Sequence, residues 1–384
     1  MTIPDLETIY FRTLAACAPE LLIARVLGPD MPRDVVAIGK CAGALLDGLA
    51  DFDDAFVTIP EGYREPRRRA GVHKGGHPQI TAASFAAGRE LLQFVGAHEN
   101  VLFLISGGGS ACVELPLAPW FDEREVIETN RRLLASGATI GEMNCVRKHL
   151  SAIKGGRLGA LVRGKSVTLV YSDVSDGALA DVASGPTLAD PSTRSDAIAI
   201  LERLGGFESI VAKLSDAPET VKHIDRASVK LIADNDTLTA TAASISPNAV
   251  RCERQIECDV SDAATLLLRR ASELKPGEVL VAGGEPTVVT HGDGKGGRCS
   301  ELAVRVALAA TEPMDVVFAS SDGVDGSTGV AGFQLSLPVK FDRAVAEREL
   351  ARSNSFAVAE SIGKPLTMLP TGNNLRDLYL LARS

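Results

Sequence analysis

Short glycine-rich loops that follow apolar runs constrain the fold of this chain more than any other feature. The clearest loops lie in FLISGGGSAC, LVYSDVSDG, VLVAGGEPT, HGDGKGGRCSE and VVFASSDGVDG. Most of these apolar runs are typical of buried strands, and they alternate with segments of ten or more residues that have helical spacing. That alternation predicts an α/β fold, in which a parallel sheet is covered by helices on both faces.

The predicted elements run through most of the chain. Helical spacing predicts helices at 6–26, 40–49, 81–95, 122–134, 144–161, 300–310 and 341–353. Strands are predicted at 35–39, 55–59, 100–106, 166–172, 279–285, 287–290 and 316–320. Short amphipathic and acidic stretches interrupt the pattern between Gly205 and Arg226. With a length of 384 residues, this interruption predicts two domains, 1–226 and 227–384.

Composition and charge exclude several classes of protein. The formal net charge of -9 argues against a general nucleic-acid binder. Seven cysteines are scattered without a Cys-x-x-Cys pair, which fits neither a zinc site nor a disulfide framework and favours a reducing cytoplasm. The N-terminal segment has acids where a signal peptide has bases, and no apolar run is long enough to span a bilayer. We expect a soluble cytoplasmic protein without a membrane or nucleic-acid partner, and the sequence leaves a homodimer open.

Polar residues follow the predicted strands in both halves of the chain. In the first half these residues are Lys40, Ser106, Gly107, Gly108, Gly109, Ser110, Asp173 and Asp176, and in the second they are Glu285, Asp322 and Asp325. Ligands of open parallel sheets bind at the carboxyl ends of the strands, so we expect two such rims to face each other across a cleft. Donors for phosphate oxygens, carboxylates for Mg²⁺ and exclusion of water are what phosphoryl transfer requires. The loops therefore predict a small-molecule kinase with carboxylates that suit Mg²⁺.

Two groups of residues are candidates for binding anions. Backbone N–H groups of the Ser106–Ser110 loop are expected to cradle an anion, although such a loop can also be only a tight turn. A cation such as Lys40 at the start of a helix opposes the helix dipole, which is more easily understood if an anion sits there. A solvated surface lysine is the alternative.

A basic segment supplies further candidates. MNCVRKHLSAIKGGRL contains Asn144, Arg147 and Lys154, and a continuous helix would place Arg147 and Lys154 on nearly the same face. That face predicts a phosphate or carboxylate site, and a solvated cationic stripe is the alternative.

Acids and histidines near the loops have two interpretations each. Asp173 and Asp176, and likewise Asp322 and Asp325, suit Mg²⁺, and they also suit ordinary turn and cap chemistry. His73 and His77 lie in a loop without a helix to fix them, so a position beside the substrate is more plausible for them than a metal site.

One motif favours a different class of enzyme. Residues 292–297 match the G-x-G-x-x-G pattern of dinucleotide-binding loops, which predicts a nicotinamide enzyme. The side chains of Lys295 and Arg298 crowd this loop, however, and it lies late in the chain. Arg298 is better interpreted as a planar, permanently charged fork for phosphate or carboxylate.

Taken in order, the loops resemble the glycerate 2-kinase family, whose C-terminal part is called the MOFRL domain. The motifs that carry the resemblance are GKCAGALL, HKGGHPQIT, FLISGGGSACVELP, MNCVRKHLSAIKGGRL, SDVSDGALADVASGPTLADPST, GGEPTVVTHGDGKGGRCSE, SSDGVDGSTGVAGF and PTGNNLRDL. The resemblance implies a larger Rossmann-like domain, a smaller mixed α/β domain, and transfer of phosphate from ATP to the 2-hydroxyl of D-glycerate with Mg²⁺. It also implies that the family's functional lysine and arginine are Lys40 and Arg298.

The resemblance has departures that bear on the substrate. Cys299 and Ser300 stand where the family usually has Asn and Gln, Ser321 and Asn373 replace threonines, and Gly177 replaces an acid. Such changes could alter which hydroxy acid is accepted, or weaken metal binding. A kinase of a related hydroxy acid, an NAD(P)H-dependent hydroxypyruvate reductase, and a binding protein derived from the enzyme therefore remain alternatives.

The predicted mechanism gives each candidate a role. Lys40, Arg298 and Asp173 are the expected catalytic residues, and Asp173 and Asp322 the expected metal ligands. The residues expected to bind substrate or phosphate are Ser106, Gly107, Gly108, Gly109, Ser110, Asn144, Arg147, Lys154, Glu285 and Asp325.

Overall fold

The computed structural model describes residues 5–174 and 179–383. Asp176 and Gly177, which the sequence analysis singled out, lie outside the described residues. Among the described residues, no helix is long and apolar enough to cross a bilayer.

Helices and strands alternate through most of the chain. The α-helices are α1 (Leu6–Ala16), α2 (Pro19–Ala24), α3 (Ala42–Asp47), α4 (Ala82–Ala97), α5 (Gly109–Cys112), α6 (Glu123–Leu134), α7 (Ile140–Leu150), α8 (Arg157–Ala160), α9 (Arg194–Leu204), α10 (Glu208–Asp216), α11 (Asn235–Ile245), α12 (Val260–Ser272), α13 (Arg298–Ala309), α14 (Arg343–Ala351) and α15 (Ser355–Ile362). A 3-10 segment covers Leu179–Ser184. The strands are β1 (Asp34–Ile38), β2 (Asp54–Pro60), β3 (Gly71–Gly75), β4 (Val101–Ser106), β5 (Ser166–Tyr171), β6 (Ala227–Ala233), β7 (Ala249–Arg251), β8 (Val279–Gly284), β9 (Met314–Ser320), β10 (Gly332–Leu337), β11 (Lys364–Leu366) and β12 (Asp377–Arg383).

These helices and strands form two compact units. The parallel-sheet unit runs from Pro19 to Ile232, and the mixed-sheet unit joins Met1–Ala18 to Ala233–Ser384. Helix α1 belongs to the mixed-sheet unit, whereas the sequence pattern grouped residues 1–226 together. The physical reason is burial, because the apolar face of α1 is covered in this unit and the Tyr10 hydroxyl donates to the Ser320 carbonyl at 2.7 Å.

The parallel-sheet unit contains a six-stranded sheet in the order β3-β2-β1-β4-β5-β6. Strands β1 to β5 pair in parallel, and every residue of β4 and β5 is buried, as expected for strands covered on both faces. This strand order is that of Rossmann-type sheets, in which the order reverses between β1 and β4. The predicted α/β fold and the Rossmann-like sheet are confirmed.

The mixed-sheet unit contains a six-stranded sheet in the order β11-β10-β9-β12-β8-β7. Strand β12 is antiparallel to both of its neighbours, β8 and β9. The carboxyl ends of β8 and β9 and the start of β12 therefore lie at one edge of this sheet, where Asp377 is level with both Gly284 and Ser320. The mixed α/β character implied by the resemblance is confirmed.

Three predicted elements are wrong. The helix expected at 6–26 is divided into α1, which ends at Ala16, and α2, which begins at Pro19, because proline lacks the N–H that would continue the first helix. The helix expected at 144–161 ends at Leu150, because the following residues pair with another segment: Ala152 N donates to Leu115 O at 2.8 Å, and Leu117 N donates to Leu150 O at 2.9 Å. The strand expected at 287–290 is reduced to an isolated bridge between Asp259 and Thr287. Six observed strands, β3, β6, β7, β10, β11 and β12, lie outside the predicted set.

Candidate active site

The loops after β1 and β4 meet where the order of the parallel sheet reverses. Lys40 N donates to Gly107 O at 2.9 Å, and Cys41 N donates to the Ser106 hydroxyl at 3.0 Å. Ser106 is fully buried, so its side chain joins the two loops rather than facing a ligand. The Lys40 ammonium lies 5.7 Å from the centre of the Tyr63 ring, at the edge of the sheet where Rossmann-type folds bind ligands.

Glycines allow this close approach. Gly39 has a φ of 109°, and a Cβ there would lie 2.4 Å from Ser106 O. Gly108 has a φ of 81°, and its Cβ would lie 2.8 Å from Cγ of Lys40. These two glycines therefore bring the loop backbones and the Lys40 side chain together, in positions that other residues cannot occupy without strain.

A polar network extends from the glycine loop to α7. The hydroxyls of Ser110 and Ser184 lie 2.8 Å apart, and Ser184 donates to Oδ1 of the buried Asn144 at 3.0 Å. Ala183 and Ser184 both have positive φ, which is unusual for residues other than glycine and is often found at functional sites. Asn144 is thus placed beside the glycine loop, and Ser184 is a member of this network that the sequence analysis did not single out.

Arg147 and Lys154 do not share a helical face, because α7 ends between them. Arg147 Nε donates to Asn130 Oδ1 at 2.8 Å, and burial lowers the pKa of its guanidinium. Lys154 is buried in an ion pair with Glu114, and Ser151 donates to the same carboxylate. The structure thus gives Lys154 an internal anion as partner.

Electrostatic interactions link His77 to three predicted site residues. His77 follows β3, whose carboxyl end lies at the same edge of the sheet as those of β1, β4 and β5. The pKa of this imidazole is lowered to about 4: desolvation is the largest cause, Lys40 and Arg147 also lower it, and Asp173 opposes them. His77 is therefore neutral near pH 7, among cationic groups and one carboxylate.

Arg298 opens α13 in the mixed-sheet unit and contacts two carboxylates. Its Nε and Nη2 donate to the two oxygens of Asp377 at 3.1 and 3.3 Å, and its Nη1 lies 2.9 Å from Oε1 of Glu285. Asp377, which is fully buried, also accepts a hydrogen bond from the Tyr379 hydroxyl at 3.1 Å. These carboxylates, Asp377 foremost, raise the pKa of Arg298 above its ordinary value. Asp377 and Tyr379 were not among the predicted site residues. Both lie on antiparallel β12, a strand that the sequence patterns did not predict.

Asp325 holds the start of α13. Its two carboxylate oxygens accept hydrogen bonds from Cys299 N at 2.9 Å and Ser300 N at 2.8 Å. Burial raises the pKa of this carboxyl group to about 6. A side chain of the protein thus occupies the anion-binding N-terminus of this helix.

The glycines of residues 292–297 pack closely against other parts of the protein. A Cβ on Gly294 would lie 2.5 Å from Arg352 O, and one on Gly297 would lie 2.2 Å from Asp325 Oδ1. The loop also follows no strand directly, since β8 ends at Gly284. In a dinucleotide site the glycines approach the pyrophosphate at a helix N-terminus, whereas here that terminus is capped by Asp325.

Two aspartates that were expected to bind metal lie at strand ends. Asp173 follows β5, and Asp322 follows β9, where Asp322 Oδ1 accepts hydrogen bonds from Ser320 Oγ at 2.8 Å and Val324 N at 2.9 Å. Across 5–174 and 179–383, no three His, Cys, Asp or Glu side chains are grouped so that they could hold a metal ion. Single carboxylates of this kind fit Mg²⁺, which takes one or two protein carboxylates and completes its shell with water and substrate phosphates.

Comparisons with known proteins assign this fold to a class of enzymes. Residues 5–217 match the family described as a domain of unknown function, DUF4147, and residues 278–377 match the MOFRL family. A crystal structure of glycerate kinase from Thermotoga maritima superposes with a TM-score of 0.87 at 30% identity, over 99% of this chain and 98% of that one. The class is that of two-domain α/β phosphotransferases with an alcohol group as acceptor.

Relatives in sequence narrow the class to a family. The D-glycerate 2-kinase of Thermotoga maritima is 32% identical, over 96% of this chain and 93% of its own length. A protein of Agrobacterium vitis, provisionally labelled a hydroxypyruvate reductase, is also 32% identical, over 97% of this chain and 92% of its own length. The chain belongs to the glycerate 2-kinase family.

Proposed function

We propose that this protein is a D-glycerate 2-kinase, which transfers the γ-phosphoryl group of ATP to the 2-hydroxyl of D-glycerate and uses Mg²⁺. One observation carries the proposal: Lys40 and the glycine loop are joined backbone to backbone at the point where a Rossmann-type sheet binds its ligands, in a member of this family. The partners are a nucleotide and a small hydroxy acid, and the location is the cytoplasm.

Two cationic side chains stabilise the negative charge of the transferring group in the proposed reaction. The hydroxyl oxygen forms a bond to the γ-phosphorus and its proton passes to water, while the bond to the β-phosphate oxygen breaks and ADP leaves with that electron pair. Lys40 and Arg298 neutralise negative charge on the transferring group, which is the principal way in which proteins accelerate this reaction. Asp173 orients the reacting hydroxyl or holds the metal.

Other residues bind or position the ligands. The backbone of Ser106–Ser110 cradles an anion, and Asn144 and Arg147 line the same edge of the sheet beside it. Lys154 supports that edge from within its ion pair with Glu114, and Asp325 fixes the helix that carries Arg298. His77 lies beside the substrate as a neutral imidazole.

Asp173 and Asp322 would hold Mg²⁺ through one carboxylate each. The chemistry that the ion would supply when bound is neutralisation of negative charge on the phosphate groups. The protein residues orient the reactants and exclude water around it.

Release of ADP tests the proposed activity. Purified protein is supplied with ATP, Mg²⁺ and D-glycerate, and the product is separated into 2-phosphoglycerate and 3-phosphoglycerate. We expect 2-phosphoglycerate, and we expect Lys40→Ala to lower kcat by roughly 10² to 10³, as loss of such a donor usually does. Lys74→Ala is the matched control, because Lys74 lies on β3 of the same sheet in an exposed ion pair with Glu65.

A reductase assay separates the main alternative. The same preparation is given hydroxypyruvate with NADH or NADPH, and nicotinamide absorbance is followed. Oxidation of the nicotinamide without ADP release would contradict the kinase, and ADP release with other hydroxy acids alone would correct the acceptor.

A further inference from the structure

Arg298 contacts two carboxylates that differ in exposure. Asp377 has no exposed side-chain surface and engages two nitrogens of the guanidinium at 3.1 and 3.3 Å. Glu285 is 40% exposed and contacts Nη1 at 2.9 Å, and the Arg298 side chain is itself 34% exposed. Asp377 is therefore the fixed partner, and Glu285 contacts the nitrogen that an incoming ligand would also use.

Arg376 holds the other oxygen of Glu285. Its Nε lies 3.4 Å from Glu285 Oε2, while its Nη1 donates to Gln255 Oε1 at 2.7 Å and to Glu257 Oε1 at 2.5 Å. Arg376 has a φ of 65°, so its backbone holds a conformation that is unfavourable for a residue with a side chain. Glu285 thus bridges two arginines. If its contact with Arg298 is broken, this carboxylate can stay paired with Arg376.

We propose that the Glu285 carboxylate competes with the bound ligand for Arg298. An anionic oxygen of the ligand displaces Glu285 from Nη1 of Arg298. The proposal rests on the proposed function, because the ligand is the phosphate of ATP or the carboxylate of the hydroxy acid. Displacement exchanges one carboxylate partner of the guanidinium for another anion, while Asp377 keeps Arg298 in place. Glu285 then sets ligand affinity, and it differs from a direct phosphate ligand because its own negative charge repels phosphate.

The competition predicts effects of opposite sign for the two acids. Glu285→Gln removes the competing charge and keeps the shape of the side chain, so ligand binding should tighten. The gain should be about two- to fivefold, the size expected for a partly exposed ion pair. Asp377→Asn removes the fixed partner and should weaken binding by about tenfold or more, since it disturbs a buried charge pair. Glu257→Gln is the matched control, because Glu257 contacts Arg376 at a similar exposure of 45%.

Equilibrium binding tests the proposal without turnover. The full chain and each variant are titrated calorimetrically with ATP in EDTA, and separately with D-glycerate. Tighter binding of either ligand by Glu285→Gln, with Glu257→Gln unchanged, supports the competition and identifies the displacing anion as phosphate or carboxylate. Equal or weaker binding of both ligands by Glu285→Gln overturns it, and this exposed variant decides the matter even if Asp377→Asn fails to fold.

Wild-type ADP release, measured in parallel, keeps the two proposals apart. Turnover by the wild type together with unchanged ligand binding in Glu285→Gln overturns the competition alone. Absence of both ATP binding and turnover in the wild type overturns the proposed function and the competition together.

Discussion

Lys154 and Glu114 form an ion pair in which the two side chains are only 1% and 2% exposed. Burial lowers the pKa of Lys154, and the nearby Glu114 opposes that shift. Removing one member of such a pair leaves an uncompensated charge in the interior. We predict that Lys154→Met lowers the free energy of unfolding by about 3–5 kcal/mol.

Urea denaturation of three variants checks this prediction. Lys154→Met and Glu114→Leu should each be strongly destabilised, and the double variant should recover most of the loss because neither charge remains. A Lys154→Met protein with unchanged stability but lost ATP binding would instead favour the anion-pocket role predicted from the sequence.

The pKa of His77 reports whether the predicted site residues lie together. This pKa is lowered to about 4, mainly by desolvation and also by Lys40, while Asp173 opposes the shift. We predict that Lys40→Met moves the His77 pKa upward and that Asp173→Asn moves it downward, because each variant removes one of these charges. Titration of the imidazole signals by NMR measures both shifts, and His73, which stacks on Phe56, is an internal reference in the same spectra. Shifts of the same sign in both variants would contradict the arrangement.

Local sequence patterns predicted the parallel-sheet unit better than the site residues that depend on distant contacts. The alternation of strands and helices gave β1, β4 and β5, and strand-end chemistry then picked out Lys40 and the Ser106–Ser110 loop. The helix predicted through Ser151 failed because residues 115–117 pair with residues 150–152, a tertiary contact that outweighs helical spacing.

Contacts between residues distant in sequence also determine the site residues of the mixed-sheet unit. Asp377 meets Arg298 only because β12 lies antiparallel between β8 and β9, an order that no local spacing reveals. The glycines of residues 292–297 match a known motif, but the atoms that leave no room for side chains there belong to residues 352–355 and to Asp325, which are distant in sequence. The glycine pattern indicates that another group packs closely against this loop, but only the structure identifies that group.

Gly39 should not tolerate a side chain. With a φ of 109° and Ser106 O only 2.4 Å from the added Cβ, Gly39→Ala would push the β1 and β4 loops apart. We predict a loss of about 2 kcal/mol or more in stability, and weaker ATP binding, since Lys40 is the next residue. Gly96→Ala is the matched control, because Gly96 lies in α4 with no atom within 4 Å of the added Cβ. That variant should gain up to about 1 kcal/mol by helix propensity, and equal effects of the two substitutions in thermal unfolding would contradict the prediction.

Asp325 should make stability depend on pH in the direction opposite to that of most carboxylates. Burial raises its pKa in the folded protein to about 6 from the ordinary value of 3.8, so between these values the folded state holds a proton that the unfolded state has released. The stability contributed by this proton is fully present below about pH 4 and is lost as the pH rises through about 6. Asp325→Asn cannot ionise and should lack this dependence, although its amide accepts fewer hydrogen bonds from Cys299 and Ser300. The difference in unfolding free energy between wild type and Asp325→Asn should therefore fall by roughly 2–3 kcal/mol from pH 4 to pH 6.5 and then level off. Urea denaturation at each pH measures it, and a difference that instead grows with pH would mean that the two amides at the start of α13 outweigh burial and hold the carboxyl group ionised.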